Sequence, residues 1–190
     1  VFTGEIYPAN VFVCDNTIAH IETKDLTAHI DDAAVVYDGK GEYLIPGLID
    51  AHIHIESSMM TPRNFARAVI PNGTTTVVTD PHEIGNVYGV EGVRYMHDSA
   101  DGLPMRQYVD IPSCVPSVPG KENAGANFLA EQIEELSSLQ RVIGLAEVMD
   151  YLAVINGEDR MMDILQVARD KGLYIQGHAP FVFGRDLSAY

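Results

Sequence analysis

Two histidines occupy alternate positions in "LIDAHIHIESS", residues 48–58, inside an otherwise apolar run, and Glu56 follows two residues later. A β-strand sends alternate side chains to one face, so Asp50, His52 and His54 are expected on one side and Ile49, Ala51 and Ile53 on the other. Same-face positions lie roughly 7 Å apart along a strand, close enough for imidazoles at i and i+2 to lean onto one divalent ion. A lone histidine in such a run reads as a satisfied core residue, whereas His-x-His at a strand end followed by glutamate reads as a metal site. Two later apolar runs end in the same manner: "RVIGLAEVMD" on Glu147 and "LYIQGHAP" on His178. The predicted metal ligands are therefore His52, His54, Glu147 and His178. Oxygen and nitrogen donors of this kind suit zinc, manganese or iron better than a thiolate-seeking ion. A carboxylate at 147 able to bridge adds a binuclear centre to the expectation. "TTTVVTDPHEIGNVYG" brings Asp80, His82 and Glu83 to another strand end; with Glu56, these are expected to line the pocket or orient the ligands, and direct ligation of an extra metal by the Asp80, His82 and Glu83 cluster is the alternative.

Such residues converge only if parallel strands carry them to one end of a sheet. Up to about residue 45 the chain shows short β-prone runs, "NVFVCD", "TIAHIE", "AAVVYDG" and "GEYLI", separated by turn residues. After Pro46-Gly47 the rhythm becomes strand, polar loop and helix, repeated. Strands are expected to begin near Leu48, Thr74, Met105, Arg141 and Leu173, with helices near 62–70, 88–99, 127–138 and 158–171. Thr61 with Pro62 at the first helical position opens the first helix, and Gly172 after "ARDK" closes the last. The expected fold is α/β: residues 1–45 form a small antiparallel β unit, and residues 46–190 a parallel sheet of at most five βα units, which in a (β/α)8 barrel would be the first five or so. A whole barrel takes roughly 250 residues, so three of its strands would lie outside this stretch. The expectation is an N-terminal fragment, since Val1 enters directly into a strand-like run and "GRDLSAY" opens a helical pattern that stops at Tyr190. Exposed sheet edges would then need covering, by a second copy or by further chain, and a homo-oligomer is expected. His20, His29 and His97 read as surface or capping residues, and the pairs Met59-Met60 and Met161-Met162 as packing.

Composition bounds the partners. The chain has 190 residues, 46% of them hydrophobic, with a formal net charge of −15. That charge disfavours nucleic acid or an anionic membrane as partner. Two cysteines, Cys14 and Cys114, read as buried free thiols suited to the cytoplasm. No apolar run approaches the ~20 residues of a membrane span, and no phosphate-binding or dinucleotide glycine fingerprint occurs.

"PGLIDAHIHIESSMMTP", "GTTTVVTDPHEIGNV", "GLAEVMDY" and "GHAP" resemble the amidohydrolase superfamily, and within it the adenine deaminase family. The resemblance implies a metal-dependent (β/α)8 TIM barrel, with residues 46–190 as its N-terminal part, carrying a small β-sandwich built from both chain ends, of which residues 1–45 would be part. It makes His52 and His54 first-strand ligands, Glu147 a bridging carboxylate and His178 a fifth-strand ligand, with Glu147 and His178 taking part in catalysis. The family's sixth-strand histidine and eighth-strand aspartate, its acid/base, have no counterpart in this stretch, so turnover is not expected of it alone. The implied reaction is hydrolysis of adenine, a small purine base, to hypoxanthine and ammonia. Leu152-Ala153 and Phe181-Val182-Phe183 depart from the family pattern of Pro-Gly and small residues. Two alternatives stand beside this reading: an amidohydrolase acting on another cyclic amide or aminated heterocycle, and a non-catalytic interaction protein on the same scaffold.

Overall fold

The structure, a computed structural model, describes residues 4–27 and 29–190. The chain divides into two compact units, Val1–Pro46 and Gly47–Tyr190.

In the first unit, β1 (Asn10–Cys14) and β2 (Thr17–Glu22) pair antiparallel, turning at Asp15 with φ of 54°. The runs "AAVVYDG" and "GEYLI" do not become strands, although their residue types favour it. A β-prone run becomes a strand only where a neighbour takes up its backbone groups and its side chains pack. Here Val35, Val36, Tyr43 and Leu44 are all exposed. Cys14 is exposed as well, against the expectation of a buried thiol.

The second unit alternates strand and helix. Its elements are β3 (Leu48–Ile53), α1 (Pro62–Val69), β4 (Thr74–Thr79), α2 (His82–Asp98), β5 (Arg106–Ile111), α3 (Ala130–Leu136), β6 (Val142–Val148), α4 (Tyr151–Asn156), α5 (Asp159–Asp170), β7 (Tyr174–Gly177) and α6 (Gly184–Ala189). The five strands form one sheet in sequence order, β3-β4-β5-β6-β7, with every neighbouring pair parallel. That order is the one in which a (β/α) barrel begins. Each strand starts within a residue of its expected position. Thr61 and Pro62 open α1 as expected, and Gly172, at φ of 67°, takes the left-handed conformation that stops α5.

Helix α2 starts six residues before the expected 88, and it is interrupted at Gly89 (φ 65°, ψ −148°). The two halves approach closely. A Cβ on Gly92 would lie 2.6 Å from the Ile84 carbonyl oxygen, so only glycine fits there. Helices and sheet bury two apolar clusters, one built around Val109, Ile111, Phe128, Leu136, Leu145 and Ile164, the other around Ile55, Phe65, Val77 and Met96. His97 is buried rather than at the surface, its ring against Asp98 in the last turn of α2. Met161 packs as expected, but Met59 is 96% exposed.

Strand register is interrupted in β3 between Asp50 and Ile53, and in β6 between Leu145 and Val148. Such irregularities turn a side chain away from the direction simple alternation assigns it.

Candidate metal centre

His52 and Glu147 sit inside those two irregular stretches, and His54 follows β3 directly. Their side chains meet with that of Asp80, which follows β4. One ligand atom from each of His52, His54, Asp80 and Glu147 lies within 4.8 Å of the others. Nε2 of His52 is 3.2 Å from Nε2 of His54. Glu147 presents its two oxygens to different rings: Oε1 lies 3.5 Å from His52 Nε2 and 2.8 Å from His178 Nδ1, and Oε2 lies 3.6 Å from His54 Nε2. Asp80 is fully buried, Glu147 nearly so, and the rings of His52, His54 and His178 are partly exposed.

Hydrogen bonds on the outer nitrogens decide what the inner ones offer. His54 Nδ1 lies 2.8 Å from the Asp80 carbonyl oxygen, which can only accept, so Nδ1 carries the proton. His52 Nδ1 lies 3.1 Å from the side-chain oxygen of Gln176, whose amide nitrogen donates to Asp110. In the neutral rings both Nε2 atoms therefore bear lone pairs, facing each other at 3.2 Å. Two lone pairs so placed repel unless a cation lies between them, and metal–nitrogen distances of about 2.0–2.1 Å fit two donors at that spacing. Asp80 Oδ1 and Asp110 Oδ1 are buried without a hydrogen-bond partner among the described residues. A buried carboxylate oxygen left in that state is costly. The donor set thus fits a divalent ion.

The remaining polar groups form a surrounding layer. His82 Nδ1 lies 2.9 Å from Asp80 Oδ2 and 3.8 Å from Glu147 Oε2. Burial works against the charged form of His82, yet the bonds to Asp80 and to the Cys114 sulfur outweigh it and push its pKa up to about 11. Burial pushes the Cys114 thiol up, with His82 opposing. Asp80, His82 and Cys114 form a second group of donors that shares Asp80 with the first. Burial also raises Glu56, whose Oε1 accepts from the Ile84 N–H at 3.3 Å. Glu83 accepts from the Ser57 hydroxyl. The structure therefore keeps Glu56, His82 and Glu83 around the centre and carries Asp80 into it. His178 touches the centre through Glu147. Asp50 accepts a hydrogen bond from the His52 backbone N–H at 3.2 Å and takes no place among the four converging donors.

Sequence reasoning missed four residues here. Gln176 and Asp110 hold His52, Cys114 lies against His82, and Tyr190 Oη accepts from the His178 N–H (2.8 Å) while donating to the Val148 carbonyl (2.6 Å). Gln176 stands two residues before His178, and Asp110 interrupts the apolar run "YVDI" as Glu147 interrupts its own. Those were signals of the same kind as His-x-His.

Comparison with known proteins places these residues in context. Residues 43–186 match the family described as "Amidohydrolase family". Over its full 190 residues the chain is 46% identical to adenine deaminase 2 of Rhizobium meliloti, of which it covers 32%. It is 44% identical over 190 residues to the adenine deaminase of Methanothermobacter thermautotrophicus, covering 33% of that protein. Over 188 residues it is 43% identical to the adenine deaminase of Serratia proteamaculans, covering 31%. The chain spans about a third of the length of the curated relatives it matches.

Proposed function

This chain belongs to the amidohydrolase family, and on that premise we propose that the whole protein hydrolyses adenine to hypoxanthine and ammonia at a centre of divalent metal. The observation that carries the reading is the convergence of His52, His54, Asp80 and Glu147, with two imidazole lone pairs facing each other at 3.2 Å. The choice of adenine is supported by relatives named adenine deaminase that match over the full length of this chain.

In this reading His52, His54, Glu147 and His178 hold the metal, with Asp80 beside them. A bound divalent ion supplies the nucleophile by lowering the pKa of a coordinated water from 15.7 to about 7. Glu147 turns its two oxygens toward different rings, an arrangement that supports a binuclear centre of manganese, iron or zinc. Glu147 Oε1 accepts from His178 Nδ1 at 2.8 Å, which leaves His178 Nε2 as the nitrogen that would face the metal. Water adds its oxygen at C6 of adenine and gives up both its protons, one to N1 of the ring and one to the exocyclic nitrogen, whose bond to C6 breaks as C6=O forms, releasing ammonia. The net charge of −15 suits a small neutral base better than nucleic acid or a membrane surface. Among the described residues, no helix is long and apolar enough to cross a membrane. A cytoplasmic setting and a homo-oligomer belong to the same reading.

The test is made on the full-length protein. Metal-replete preparations are expected to hold divalent ions and to release ammonia from adenine. A protein that retains no ion, or that releases ammonia from cyclic amides and none from adenine, overturns the proposal.

A further inference from the structure

We propose that Gln176 and Asp110 are positioning residues for His52, joined to it in a hydrogen-bonded strut that crosses from β3 through β7 to β5 over Gly144. The proposal rests on the metal reading, because what the strut determines is which nitrogen of His52 faces the ion.

The strut has two links. His52 Nδ1 donates to Gln176 Oε1 at 3.1 Å, and Gln176 Nε2 donates to Asp110 Oδ2. Asp110 is 1% exposed, so no bulk water competes for its oxygens. Strands β5 and β7 are not neighbours; β6 lies between them, with Gly144 in register with Asp110 on one side and Tyr174 on the other. A Cβ at 144 would collide with Asp110 Oδ1. Without a side chain there, the Asp110 carboxyl can lie across β6 and reach Gln176. The three strands involved are the first, third and fifth of the sheet, and in a barrel interior alternate strands supply the side chains of one layer. The usual apolar filling is here replaced by a polar chain ending on a metal ligand.

The two histidines of the pair are thus held differently. His54 takes its outer bond from a backbone carbonyl, which no side-chain substitution removes. His52 depends on two side chains from other strands. Outer partners of metal-bound histidines set the tautomer and ring direction, and losing them typically costs 10–100-fold in metal affinity.

Metal affinity of the full-length protein, measured by competition with a chelator, tests the strut. Gln176→Met removes both hydrogen bonds; Gln176→Asn keeps the amide but shortens its reach by a methylene. Each is expected to weaken the affinity about 10–100-fold. Asp110→Leu and Gly144→Ala are expected to act in the same direction, whereas Asp110→Asn, which can still accept from Gln176, is expected to recover most of the loss seen with Asp110→Leu. Unfolding midpoints of the metal-stripped variants separate this from general damage, which would lower the midpoint without the recovery by asparagine. Wild-type protein that binds metal while both Gln176 variants hold it equally tightly overturns the strut. Equal losses for Asp110→Asn and Asp110→Leu overturn the part assigned to Asp110. Wild-type protein that binds no ion overturns the metal reading itself, a result separable from the other two.

Discussion

Asp110 is a carboxyl group held where its charged form is disfavoured. Burial, reinforced by the charge of Asp80 and partly offset by the Gln176 bond, raises its pKa from 3.8 to about 7. Between about 4 and 7 the folded chain keeps a proton that the unfolded chain releases, so stability falls as pH rises through that window and levels off above it. Asp110→Asn carries no such proton. In full-length protein the variant is expected to gain unfolding free energy relative to wild type progressively from pH 4 to 7, as read from denaturant titrations at several pH values; a constant difference across the window would contradict the burial argument. The centre was legible in the sequence where spacing along a single run carries the chemistry, as in His52 and His54, or where a charged or imidazole side chain ends an apolar strand, as in Glu147 and His178. It was not legible where a role depends on another strand. Asp110 and Gln176 acquire theirs only by meeting across Gly144.

At the level of elements, short apolar runs bounded by turn residues mark all five parallel strands, both where the strand is buried, as in β6, and where it is largely exposed, as in β3 and β7. Alternation was the weaker guide. It assigned Asp50, His52 and His54 one common face, and the register irregularity between Asp50 and Ile53 left Asp50 outside the group of converging donors. Helix α2 was read only from its second half, since Gly89 breaks the helical period that would have revealed the first. The same break permits a test. The added methyl of Gly92→Ala would meet the Ile84 carbonyl oxygen, a backbone atom with little room to move. The helix-propensity gain of alanine, about 1 kcal/mol, is opposed by an overpacking cost of about 1–3 kcal/mol. Net destabilisation is expected in chemical unfolding, while Gly102→Ala, at φ of 70° with open space around it, should show backbone strain alone. A stabilised Gly92→Ala protein would mean that the two halves of α2 do not meet this closely.

Across the whole molecule, the proposed ligands are gathered at one end of the sheet. They come from β3, β6 and β7, with Asp80 beside them after β4, and backbone N–H groups tie that end together: that of Asp80 donates to the Ile53 carbonyl at 3.0 Å and that of His178 to the Tyr190 side-chain Oη at 2.8 Å. Among the described residues the opposite end holds no such group, and it is tied by bonds such as Leu48 N–H to the Gly73 carbonyl at 2.8 Å. An ion that binds only the folded arrangement stabilises it by about 2.7 kcal/mol at a hundredfold excess over its dissociation constant. That stabilisation reaches the local openings that separate the ligands from one another. Amide hydrogen exchange in full-length protein should therefore differ between the two ends of the sheet. Removing metal is expected to speed exchange at Asp80 and His178 roughly a hundredfold while leaving Leu48 nearly unchanged, if local opening governs both ends. Equal acceleration at both ends would show that the ion stabilises the barrel globally. On the metal reading one end of this sheet is a clasp that its ligand closes, and the other is a hem stitched by the backbone.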